Sequence, residues 1–312
     1  MNARHASLSV SRFAKALRGL ILVGAAFVLL VPAGASAQEK APDELFKLGN
    51  EAFNKGEIDK AIEHYKSAVE KREKFKEAWY NLGIAYGRKK QYEKEIEAYV
   101  KAVELSADYT KALYNLAIAY EDKGSDDKAI ETYEKVIKAE PKAVDARINL
   151  GILYARKGQL DKAVTVYKEA LGYDADVADA HFNLGIAYGK QAADLKGDER
   201  NNLIANEIAA YEKAVEKNQK YHKAWYNLAI ANNKLGKVDK EIEAYLKAIE
   251  AKAEYPQALF NLAFAYEEKK DNGNAVKYWK EYIRVAGEQP SEKKYVDTAK
   301  QQLARLQKSD SE

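Results

Sequence analysis

Six asparagines recur at one place in a repeating pattern: Asn81, Asn115, Asn149, Asn183, Asn227 and Asn261. Each precedes a Leu and follows a bulky apolar or aromatic residue, in turn Tyr80, Tyr114, Ile148, Phe182, Tyr226 and Phe260. A carboxamide offers both a donor and an acceptor, so a row of them can pair with an extended peptide backbone without reading its side chains. Three residues after each Asn stands Ile84, Ile118, Ile152, Ile186, Ile230 or Phe264, an apolar stripe suited to apolar side chains wherever it stays exposed. The alternative is local: the same amides can bond within their own repeat.

Other chemistry is missing. The chain contains no H-E-x-x-H, no G-x-S-x-G, no phosphate-binding Gly-rich loop and no EF-hand loop. Cys is absent, which removes disulfides, thiolate metal sites and thiol nucleophiles. His64, His181 and His222 fall at unrelated places of the pattern. The expectation is a protein without catalytic residues, metal or cofactor. Acids are plentiful, but they alternate with Lys as in EKEIEAYVKAVE, which is the lacing of solvated helix faces.

The elements that carry the Asn row are helices. The Leu of each N-L-G or N-L-A triplet, and its counterpart Leu48, gives a series Leu48, Leu82, Leu116, Leu150, Leu184, Leu228 and Leu262, spaced by 34 residues with one interval of 44. Within a unit, Trp79, Leu82, Gly83 and Tyr86 form one stripe, and Ile96, Tyr99, Val100 and Val103 a second, both spaced i, i+3, i+4, i+7. That spacing marks two one-sided helices. Gly124, Gly158 and Gly236 mark the turn between them.

These residues resemble the tetratricopeptide repeat (TPR), a 34-residue helix–turn–helix unit. Numbering each unit so that the series Leu is position 7, position 8 is small in Gly49, Gly83, Ala117, Gly151, Gly185, Ala229 and Ala263. Position 24 is aromatic in Tyr65, Tyr99, Tyr133, Tyr167, Tyr211, Tyr245 and Trp279. The usual Ala at position 20 is replaced by Glu95, Glu207 and Glu241, each of which must snorkel or find a partner. The resemblance covers residues 42–289 and implies an all-α, right-handed superhelical solenoid of seven repeats, closed by a capping helix within residues 290–312. It also implies that positions 2, 5, 6, 9, 12 and 13 of each first helix line a concave groove. The Asn row at position 6 is similar to the asparagine ladder of O-linked N-acetylglucosamine transferases, although nothing here resembles their catalytic domain. Position 13 changes sign along the array, through Arg88, Asp122, Arg156, Lys190, Lys234 and Glu268. The carboxylate clamp of chaperone-binding members would map to Phe46, Asn50, Asn81, Lys111 and Asn115. Two of its cations are missing, so that mode is not expected.

Three features depart from the pattern. Residues 1–37 carry Arg4, Arg12, Lys15 and Arg18, no acid, an apolar run Leu20–Val31 and then Ala35-Ser36-Ala37. This reads as a cleavable signal peptide. Twelve residues of helix span about 18 Å, short of a bilayer core of about 30 Å. The remainder holds 47 basic against 48 acidic residues, with no electrostatic footprint for nucleic acid. A ten-residue insertion lies at about 191–202 in the fifth repeat. Its KQAADLKG run is expected to extend the first helix, and Gly197-Asp198 to stop it and cap the next. Finally, residues 77–122 match 223–268 at 26 of 46 positions, so repeats two–three and six–seven are near copies.

The sequence thus predicts an exported, non-enzymatic scaffold in the periplasm of a Gram-negative bacterium, without a stable membrane anchor after cleavage. It would bind an extended segment of a protein in its groove during envelope assembly or secretion. The predicted contacts are Asn81, Asn115, Asn149, Asn183, Asn227 and Asn261 with Tyr80, Tyr114, Phe182, Tyr226 and Phe260. The alternatives are a self-associating homo-oligomer and a carrier of a small apolar or glycan ligand.

Overall fold

A computed structural model of the chain describes residues 40–287 and 289–309. The proposed signal segment lies outside them. Every regular element among the described residues is helical. The helices come in seven pairs: α1 (Pro42–Asn54) with α2 (Ile58–Lys71), α3 (Lys76–Arg88) with α4 (Tyr92–Leu105), α5 (Thr110–Asp122) with α6 (Asp126–Ala139), and α7 (Val144–Arg156) with α8 (Leu160–Tyr173). They continue with α9 (Ala178–Gln191) and α10 (Gly197–Lys217), α11 (His222–Asn233) and α12 (Val238–Ala251), and α13 (Pro256–Glu268) and α14 (Asn272–Ala286). A short 3-10 turn, Pro290–Glu292, leads into α15 (Lys293–Ser309).

In six of the seven pairs a left-handed residue closes the first helix and turns the chain into a hairpin. Gly56, Gly124, Gly158 and Gly236 hold φ of 77°, 77°, 75° and 68°. This conformation costs a residue with a Cβ roughly 1–2 kcal/mol. The second and seventh repeats place Lys90 and Lys270 there, at φ 57° and 63°. Close approach within a pair needs a small residue at position 8: a Cβ added to Gly83 would sit 2.5 Å from the Tyr99 ring. The position-24 rings Tyr65, Tyr133, Tyr167, Tyr245 and Trp279 are among the largest fully buried side chains.

Each helix also packs on the next in the chain, so the pairs stack into a solenoid. Successive first helices touch directly, α1 with α3 and α7 with α9, while no two successive second helices pack comparably. The first helices therefore form the inner layer. At the C-terminal end, α15 lays Val296, Ala299 and Leu306 on α14, which covers the last pair as the sequence predicts.

The insertion differs from expectation. The first helix α9 gains one residue over its counterparts, whereas α10 has 21 residues against 14 in α8 and α12. The extra residues lengthen the second helix at its start. Gly197, at φ 65°, is its first residue, after Lys196 at the N-cap, so Asp198 is not the cap. Its Ile204 occupies the place of Ile58, Leu160 and Val238 at the start of other second helices and is fully buried. The residues before it extend the helix outward, with Asp198, Glu199, Asn201 and Asn202 exposed.

Candidate peptide-binding groove

The Asn row lies along the inner layer, half-buried in every repeat that has it. Five of its amides bond the preceding repeat, three of them at its position-5 hydroxyl. Asn115 Nδ2 donates to the Tyr80 hydroxyl at 3.1 Å, Asn149 to Tyr114 at 3.1 Å, and Asn261 to Tyr226 at 3.2 Å. Asn81 donates to Asn50 Oδ1 at 2.8 Å, the same oxygen that accepts from Tyr65. Asn149 and Asn227 also donate to the position-24 hydroxyls of Tyr133 and Tyr211, at 3.2 and 3.4 Å. The row is thus a set of staples between repeats that uses an amide N–H internally in five rungs and leaves the Asn carbonyl oxygens for a guest. Asn183 is the exception: it makes no side-chain hydrogen bond among the described residues. The preceding position 5 is Ile148, which has no hydroxyl; Asn81 and Asn227 likewise follow Phe46 and Phe182, but they bond Asn50 and Tyr211 instead.

The aromatic candidates are half-buried too, because they are sandwiched between repeats. Tyr80 lies 5.9 Å from Tyr99 and 5.2 Å from Tyr109, and Tyr226 lies 5.8 Å from Tyr245 and 5.2 Å from Tyr255, as ring centroids. Phe182 packs on Tyr211 and Tyr221. Tyr114 packs on Tyr133 alone, since Ala143 stands where Tyr109 and Tyr255 stand elsewhere. Burial pushes the Tyr114 hydroxyl up to about 12, against the Asn149 bond that lowers it. Phe260 meets Phe264, Trp279, Tyr282 and Tyr295, and of that cluster Phe264 remains 38 % exposed.

Charges at the groove edge follow a rule that links three positions. Glu95, Glu207 and Glu241 at position 20 are 3–4 % exposed. Each lies opposite a reduced position 12: Gly87 and Gly189 leave no room for a Cβ beside Glu95 and Glu207, and Asn233 Nδ2 donates to Glu241 at 2.9 Å. Where position 20 is Ala129 or Ala275, position 12 supplies the acid instead. Glu121 accepts from Tyr133 at 3.5 Å, and Glu267 from Trp279 Nε1 at 2.6 Å. The acid of one repeat then meets the position-13 side chain of the next. Lys234 holds both Glu207 oxygens at 2.8 and 2.9 Å, and Arg156 holds Glu121 at 2.7 Å and Asp126 at 3.1 Å. Burial raises the Glu207 carboxyl above its ordinary value, opposed by Lys234. Burial raises Glu241 as well, opposed by Asn233 and reinforced by the like charge of Glu268.

Sequence reasoning placed the Asn row on one face and flagged the three buried acids, but it missed their pairing. The signal was present: Gly or Asn at position 12 accompanies Glu at position 20, and Glu at position 12 accompanies Ala. Among the described residues no group of three or more His, Asp or Glu is placed to hold a metal, and no helix is long and apolar enough to cross a membrane.

Family models described as TPR repeat match residues 49–90, 119–158 and 153–191, and models described as tetratricopeptide repeat match 76–109, 208–257 and 257–285. The chain belongs to the tetratricopeptide repeat family. Among solved structures it is similar to MamA, at 31 % identity over 56 % of this chain and 97 % of that one, with a TM-score of 0.50. The C-terminal part of a TPR repeat-containing protein from Cytophaga hutchinsonii shares the fold at 18 % identity, over 81 % of this chain and 98 % of that one, with a TM-score of 0.65. So does YrrB, described as a TPR protein with an unusual peptide-binding site, at 19 % identity, 62 % and 95 % coverage and a TM-score of 0.51. No curated protein matches the chain in sequence. This is a TPR-type scaffold, built for protein–protein interaction.

Proposed function

We propose that this TPR protein acts in the periplasm, holding an extended segment of a partner protein along its inner face during envelope assembly or secretion. The observation that carries the reading is the continuous inner stripe of half-buried Asn and Ile side chains. Its amide oxygens stay available after their Nδ2 groups have bonded within the array, and its apolar rungs are offered beside them. The peptide-binding site named for YrrB, a protein of the same fold, supports it further. The periplasmic part rests on the signal-like residues 1–37 alone. No catalytic step is assigned.

Capture tests both parts. Residues 38–312 are immobilised and exposed to an envelope fraction, in parallel with a variant carrying Asn115→Ala, Asn149→Ala and Asn183→Ala that circular dichroism shows to be helical. A partner retained by the parent and lost by the variant is the expected result. A partner bound equally by both overturns the groove reading and moves attention to self-association through the end repeats. Intact-mass analysis of exported protein should show a chain beginning at Gln38; retention of the first 37 residues overturns the export reading.

A further inference from the structure

The junction of repeats four and five differs from the other junctions in one respect. Two polar groups there have no partner among the described residues. Asn183 makes no side-chain hydrogen bond, whereas the other five amides of the row all donate to the preceding repeat. Lys190 sits at position 13, where Arg156 and Lys234 reach back to acids of the preceding repeat. The corresponding places of repeat four are Ala155, Leu160 and Ala163.

Asn183, Ile186 and Lys190 are spaced i, i+3, i+7 on α9 and therefore share one face, with the backbone positions of Asn183 and Lys190 about 10 Å apart along the helix. Lys190 is also the middle of three consecutive cations at position 13, between Arg156 and Lys234, whose charges are already met by Glu121, Asp126 and Glu207. The unmatched charge at the centre of the groove is thus positive, and it shares its helix face with an unbonded amide. Both side chains are half-buried rather than buried, so a guest can reach them without displacing an internal bond.

We propose that this junction is the groove's anchor point, and that the guest is an acidic side chain within an extended peptide segment. Lys190 pairs with its carboxylate, while Asn183 bonds the neighbouring peptide backbone. The inference rests on the groove reading and adds the chemistry of the partner.

A library of random 12-residue peptides displayed on phage, panned against residues 38–312, tests it. Selected peptides should be enriched in Asp and Glu. Replacing the key acid of a selected peptide by its amide should weaken binding about tenfold or more. Lys190→Gln in the protein should weaken it similarly, and the two changes together should cost little more than either alone. Panning against Lys190→Glu should shift the selection toward Lys and Arg. Because Lys190 has no internal partner, neither variant should lower the melting temperature, which separates lost binding from lost fold. Peptides whose binding depends on Asn183 but shows no acid preference and no response to Lys190→Gln would overturn the anchor and leave the groove standing. If no peptide is selected, or none responds to Asn183→Ala, both readings fail.

Discussion

Two neighbouring junctions of the solenoid carry the same cation at the same repeat position and use it differently. At the junction of repeats five and six, Lys234 reaches back to the buried Glu207, whose place is opened by Gly189. At the junction of repeats four and five, Lys190 has the same chemistry, but the repeat before it carries Ala155 and Ala163 at the two acid-bearing positions. The difference lies entirely in the neighbour. In a stack where each unit touches only those beside it, the availability of a side chain is decided one repeat away.

The strongest way to break this comparison is to remove each cation in turn. Lys234→Ala leaves the Glu207 carboxylate buried without its counter-charge, a change that costs roughly 2–4 kcal/mol once partial protonation relieves it. Lys190→Ala removes a half-buried side chain with no internal bond, and should stay within about 0.5 kcal/mol of the parent. Urea midpoints of the two variants, measured side by side at neutral pH, check this. Equal losses would mean that Lys190 is held by something other than a guest.

The Asn row divides in the same manner. Asn115→Ala and Asn149→Ala each remove a donor from a half-buried Tyr hydroxyl, at a net cost of about 0.5–1.5 kcal/mol apiece. Asn183→Ala removes no internal bond, and Ala is the better helix former, so stability should hold or rise slightly. Thermal melts of the three single variants decide the matter. A drop for Asn183→Ala as large as the other two would show that all rungs are structural.

How much of this was legible beforehand depended on distance along the chain. The helix pairs, the left-handed Gly turns and the face of the Asn row all follow from spacing within one unit, where periodicity is informative. The partners of the Asn row do not. Asn115 finds Tyr80, 35 residues earlier, Asn227 finds Tyr211, and Asn183 finds no partner among the described residues, and no pattern within one repeat encodes that. The insertion shows the same limit. KQAADLKG has helical composition, but whether it lengthens α9 or α10 turns on where Ile204 finds its buried seat.

Repeats six and seven offer a smaller, pH-dependent contrast to the Glu207–Lys234 pair. Glu241 is buried like Glu207, but its groove-side neighbours are Asn233 and the like-charged Glu268. A carboxyl whose folded pKa is raised binds more protons folded than unfolded, so its contribution to stability is present at low pH and is lost as pH rises through the folded value. Glu241→Gln should therefore stabilise the protein at neutral pH, with the gain shrinking toward zero below the ordinary carboxyl range of about 4.5. Melting temperatures from pH 4 to 7.5 measure it. A gain that is flat with pH, or largest in acid, would contradict the burial argument.

The smallest effect should come from the insertion, which separates Lys190 from Lys234 in the chain and tests whether the contrast between their junctions depends on it. Deleting Ala192–Asn201 restores the 34-residue spacing and removes the exposed turns that precede Ile204. The segment contributes one buried side chain, Ala192, and loop-closure cost changes slowly with length, so the loss should be within about 1 kcal/mol. Ile204 keeps its buried place, and the Glu207–Lys234 pair should survive, because both partners lie outside the deletion. The readout is therefore a double comparison: Lys234→Ala should cost the same with or without the insertion, and Lys190→Ala should remain silent in both backgrounds. If the deletion makes Lys190→Ala destabilising, the insertion is what keeps that cation unpaired, and the open junction is a consequence of the extra turns of α10 rather than of the alanines in repeat four.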